Sequence, residues 1–170
     1  MRKILSGGLL VLYLVTLTWL VLFKLTFNIS RVLNYHHRSL NLVPFGASKI
    51  VNGRIDFGEM ILNCVFFIPF GLLLNVNFKK TGFFPKLACI LVFSVSAELI
   101  QYMFAIGATD ITDVITNTVG GFIGLILYDL SNKYINTEKL DRIIISAGAL
   151  LFVLAISIQS GHFFLRHHQQ

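Results

Sequence analysis

Long apolar runs separated by short polar stretches dominate this chain, and the length of the runs decides how it is read. An α-helix rises 1.5 Å per residue, so crossing about 30 Å of hydrocarbon takes about 20 helical residues. Five runs reach or approach that length: Ile4–Phe27, Phe57–Val76, Lys86–Ile106, Ile111–Tyr128 and Ile143–Ile158. The pattern predicts an all-α polytopic membrane protein, a bundle of about five transmembrane helices. It forms a single domain over residues 1–170, with the fifth helix peripheral. Most connections are short. The exception is Asn28–Asp56, between the first and second helices, which contains Pro44 and alternates apolar with polar residues. A long link in a small protein is a place to expect function, and this one is expected to lie in the interface or re-enter the bundle. Gly120 and Gly124 form a small-xxx-small pair beside Gly121, which predicts close approach of the fourth helix to a neighbour. Pro69 and Gly71 predict a kink in the second.

Composition agrees. The chain is 55% hydrophobic and 13% charged, against about 25% charged in soluble domains, too few charges for a water-facing surface. The start, Met1-Arg2-Lys3 followed by Ile4–Phe23, resembles a signal peptide. Its apolar run exceeds the ~7–15 residues of a cleaved signal, and no small-x-small site follows, so it reads as a retained span. The net charge of +6 lies between the apolar runs, which points to topology and anionic lipid and away from nucleic acid. Arg2, Lys3, Lys79, Lys80, Lys86, Lys133, Lys139 and Arg142 fall on one side, eight in all, against Arg31, Arg38, Lys49, Arg54 and Arg166 on the other. This predicts a cytoplasmic N-terminus and an extracytoplasmic C-terminus in the cell membrane, with the long loop dissenting.

Intramembrane ionisable residues mark functional sites. Ser94, Glu98 and Gln101 are spaced i, i+4, i+7 and share one helical face. Glu98 lies ~18 Å along the axis from Lys86, in the distal half of the bilayer. Glu59 and Asn63 begin the second helix on that side, and Asp110, Asp113 and Asn117 begin the fourth. With the spans apolar below them, these residues predict a cavity open to one surface. Asp110 and Asp113 also read as a capping box, and Asn63 and Asn117 as interhelical hydrogen-bonding groups. Glu98 has no such local use and needs a partner: Arg38, Arg31 or a proton shared with an aspartate. Cys64 and Cys89 sit in apolar runs as packing residues, and the adjacent His36 and His37 lack further ligands, so no metal and no cofactor is implied.

Three blocks carry a resemblance: Arg38-Ser-Leu-Asn41-Leu-Val-Pro44-Phe45; Asn63-Cys-Val-Phe-Phe67-Ile-Pro69-Phe-Gly71; and Glu98-Leu-Ile-Gln101 followed by Gly107-Ala-Thr-Asp110-Ile-Thr-Asp113-Val-Ile-Thr-Asn117-Thr-Val-Gly120-Gly121. In this order, over roughly residues 30–130, they resemble the VanZ-like family of membrane proteins. Many members carry an Arg shortly before the first Asp, where this chain has Gly107-Ala108-Thr109. The resemblance implies a role in glycopeptide and lipoglycopeptide resistance, to teicoplanin in particular, and a site of Arg38, Asn41, Asn63, Glu98, Gln101, Asp110, Asp113 and Asn117. The expected partners are membrane lipids and a lipid-linked cell-wall precursor or the antibiotic, with Arg38 contacting phosphate or carboxylate. The alternative is an enzyme modifying a lipid-linked envelope component with Glu98 or Asp113 as acid/base, although no catalytic motif is legible. Transport is disfavoured by the one-sided depth and lack of repeats. The glycine-bearing helix leaves a partner subunit or a homo-oligomer open.

Overall fold

A computed structural model of the chain describes residues 2–23, 39–46, 50–51, 54–55, 57–105 and 108–150. Its helices are α1 (Arg2–Phe23), α2 (Gly58–Asn77), α3 (Phe83–Phe104) and α4 (Ile111–Tyr134). Residues 137–150 are also helical and are termed α5. α1 to α4 are each long and apolar enough to cross a membrane. The expected first and fifth spans ran to Phe27 and Ile158, and both ends lie outside the described residues. α4 continues six residues past the expected Tyr128, to Tyr134.

α2 and α4 make the most extensive contact in the bundle, and glycine is the reason. A Cβ on Gly120 would stand 2.1 Å from the Cys64 carbonyl oxygen, and one on Gly124 2.1 Å from that of Ile68. One on Gly71 would meet the Gly121 oxygen at 2.2 Å. Backbones therefore touch without side chains between them, which is how small residues hold helices together in lipid. Gly71 is thus a packing residue, and α2 is helical from Gly58 to Asn77 with Pro69 inside it. Pro69 has no N–H to offer the preceding turn. Beside that gap the Tyr13 hydroxyl of α1 donates to the Phe66 carbonyl at 2.6 Å, pinning α1 to α2. Phe67, Phe70 and Phe93 meet edge-on with centroids 5.3–6.2 Å apart. With Leu17, Ile90 and Leu125 they fill the middle of the bundle with apolar volume.

Four short strands complete the described structure: β1 (Ser39–Asn41), β2 (Ile50–Val51), β3 (Arg54–Ile55) and β4 (Ala108–Asp110). β2 and β3 pair antiparallel. β1 and β4 pair parallel, with Asn41 opposite Asp110. A parallel pair needs a crossover, and here the α2–α3 hairpin supplies it. The long loop thereby returns to the start of α4. Part of it does re-enter the protein, as a strand that sequence patterning did not predict.

Candidate functional site

The turn after β1 is built by its own residues. The Asn41 side-chain oxygen accepts from the Val43 N–H at 3.2 Å, and Gly46 N–H donates to the Val43 carbonyl at 3.0 Å. Phe45 sits there at φ 61°, a left-handed conformation costly for a residue with a Cβ. What holds it is a hydrogen bond from its N–H to the Thr112 hydroxyl, 3.0 Å away on the first turn of α4. The Asn41 amide meanwhile donates to Asp110 Oδ1 at 3.1 Å. This block of the sequence is a clasp that seats the loop on the N-terminus of α4.

Asp110 caps α4 as expected, accepting from the Thr112 N–H at 2.8 Å. The rest of the capping box is rearranged. The Asp110 N–H, which an acidic residue at Asp113 would take in that motif, donates instead to Glu98 Oε2 at 3.0 Å. Asp113 is thereby available to α2, and its Oδ1 accepts from Asn63 Nδ2 at 2.8 Å. The Thr109 hydroxyl adds a bond to the Glu98 carbonyl at 3.2 Å. Glu98 and Asp113 are 4% and 5% exposed. Two buried carboxylates, with the half-buried Asp110 beside them, form an acidic, acceptor-rich centre where α2, α3, α4 and β1 converge.

Not every expected residue belongs to that centre. Gln101 turns toward α1 and donates to the Val21 and Leu22 carbonyls at 2.9 and 3.4 Å. These belong to the last described turn of α1. Asn117 bonds the Ser94 hydroxyl at 3.0 Å, joining α4 to α3 within the bundle. Both are fully buried, and among the described residues the Gln101 and Asn117 side-chain oxygens have no hydrogen-bond partner. Arg38 and Arg31 lie outside the described residues. Glu59 is half-buried at the start of α2.

The expectation of almost wholly apolar spans below the cluster is corrected at the far end of the bundle. At the opposite end of the bundle, the buried Lys86 donates to Asn75 Oδ1 at 2.6 Å. The Asn75 amide reaches the Leu125 carbonyl at 3.0 Å and Asp129 at 3.2 Å. Nearby, Asp141 of α5 accepts from Lys79 at 2.5 Å and from Tyr128 at 2.7 Å. Lys86 had been read as a span boundary, whereas α3 begins at Phe83 and carries Lys86 inside it. The legible signal was a polar residue, Asn75, near the end of one apolar run and a cation near the start of the next. We expect Asn75→Leu to leave the buried ammonium without its acceptor and to cost about 2–3 kcal/mol. Thermal unfolding in detergent micelles measures this, and adding Lys86→Met to Asn75→Leu should restore part of the loss.

The VanZ/LLP1 family model matches residues 10–132. The chain is 66% identical over 156 residues to Protein VanZ of Enterococcus faecium, covering 92% of this chain and 93% of that protein. No solved structure matches it.

Proposed function

The chain belongs to the VanZ/LLP1 family, and from that premise we propose that it lowers susceptibility to teicoplanin-type glycopeptides. It does so by engaging, at its acidic rim, the anionic headgroup of a lipid-linked envelope component or the drug. The observation that carries this reading is the convergence of Asn41, Asn63, Glu98, Asp110 and Asp113 through direct side-chain contacts at one end of the bundle.

Arg38 directly precedes Ser39, the first residue of β1, whose partner strand ends at Asp110. We assign its guanidinium two roles, one toward the carboxylates and one toward the ligand. Against the carboxylates it is a counter-charge, which buried acids require. Toward a phosphate or carboxylate it offers the planar fork suited to bidentate recognition. With the N-terminus cytoplasmic, as the excess of Lys and Arg at the other end favours, the rim faces outward.

Expression in a glycopeptide-susceptible Gram-positive host should raise the teicoplanin inhibitory concentration. Arg38→Gln should abolish the rise, and Arg38→Lys should retain part of it, because lysine keeps the charge but loses the fork. No rise at confirmed membrane abundance would overturn the proposal.

A further inference from the structure

Away from the acidic rim, α1 and α5 flank a groove of about 400 Å³, lined by one face of α1 from Ile4 to Leu12 and by Ile145 and Ala149. We propose that this groove seats an anionic phospholipid, with an acyl chain in the slot and its phosphate on Lys3 and Arg142. Three observations meet there.

The first is the lining. Ile4, Leu5, Gly8, Leu9 and Leu12 offer no hydrogen-bonding side chain, so the slot suits hydrocarbon and not water, which needs two or more polar partners. At its floor a Cβ on Gly8 would meet nothing within 4 Å. The volume falls within the ~300–1,000 Å³ of small-molecule sites.

The second is depth. Asn77, at the end of α2, donates to the Ser6 carbonyl at 3.3 Å, and Asp141 meets Lys79 in the α2–α3 turn. These contacts place the mouth of the groove at the membrane end that carries that turn. From there the stretch Ile4 to Leu12 runs ~12 Å into the hydrocarbon.

The third is charge. Arg142 stands three residues before Ile145 and seven before Ala149, hence on the same face of α5. Lys3 immediately precedes the lining of α1. Both are exposed, and among the described residues neither side chain has a hydrogen bond or ion pair. The acid next to Arg142, Asp141, is already held by Lys79 and Tyr128. An apolar slot with two exposed cations at its headgroup end matches a lipid bearing a negative phosphate. A bare acyl chain would have no use for the cations, and a second apolar helix would leave them stranded.

The test uses the full-length chain purified in detergent and reconstituted into vesicles of equimolar phosphatidylglycerol and phosphatidylcholine. Native mass spectrometry reads the retained lipid, and a photoactivatable acyl-chain phosphatidylglycerol reports its place. Retained phosphatidylglycerol should exceed phosphatidylcholine, at about fivefold per cation, with adducts on residues 4–12 and 145–149. Arg142→Glu should reduce that preference at least about fivefold, and Arg142→Lys should keep it. Gly8→Leu directs a side chain into the slot from a position whose Cβ meets nothing within 4 Å, and should remove the adducts while the protein elutes as a folded species. Equal retention of the two lipids overturns the proposal. So do adducts spread evenly around the bundle, or a groove occupied by residues 151–170 or by a second copy.

Discussion

Replacing Glu98 by glutamine should erase protection against teicoplanin while leaving the protein folded and as abundant in the membrane as before. Glu98 Oε2 accepts the Asp110 N–H at 3.0 Å, and glutamine has an oxygen for the same bond at nearly the same volume. The substitution therefore keeps that bond and removes the negative charge at a position only 4% exposed. Within a bilayer such a charge is costly and persists only where it pairs or binds. If the acidic rim positions Arg38 for an anionic ligand, the neutral variant loses the arrangement and the inhibitory concentration falls to that of the vector-only host. Glu98→Ala is a poorer probe, because it also strands the Asp110 N–H and loosens the start of α4. Undiminished protection in Glu98→Gln at equal abundance would remove the charge from the mechanism.

The second large effect concerns the fold. Gly124→Ala adds one methyl group, yet its Cβ would lie 2.1 Å from the Ile68 carbonyl oxygen and 3.1 Å from the Gly71 Cα. Both obstacles are backbone, so no rotamer change can clear them, and α2 and α4 must separate. Overpacking typically costs about 1–3 kcal/mol, and a backbone collision belongs at or above the top of that range. The expected result is a sharp fall in thermal stability in detergent, or failure to accumulate in the membrane. Gly7→Ala is the control. Its Cβ would meet nothing within 4 Å, and alanine suits a helix interior better than glycine, so stability should hold or rise slightly. Equal behaviour of the two variants would rule out the close α2–α4 contact.

Much of this was legible beforehand because lipid imposes simple rules on sequence. Apolar runs marked α1 to α4, since every backbone polar group in the bilayer must be satisfied within its own helix. The small-xxx-small spacing of Gly120 and Gly124 announced a close helix contact. Asn63 could be assigned to interhelical bonding by depth, and its bond to Asp113 followed. Gln101 misled, because sharing a face with Glu98 does not say which neighbour that face meets at each turn. One turn beyond Glu98 the neighbour is the last described turn of α1, whose carbonyls accept from Gln101. Asn75 and Lys86 were passed over because each sits near the end of an apolar run. Only the α2–α3 turn brings those two ends together.

The amino-acid order alone thus determined the all-α membrane class, the presence of the four apolar helices α1 to α4, and the glycine-bearing face of α4. Each follows from a local periodicity or a run length, and periodicity needs no knowledge of neighbours. What only the tertiary structure decided was partnership: Glu98 with the Asp110 N–H, Asp113 with Asn63, and the long loop with the start of α4 through the Asn41–Asp110 pairing. Donors and acceptors distant in the chain choose each other by where helix packing puts them. That packing is governed by contacts as fine as a missing methyl on Gly120 or Gly124.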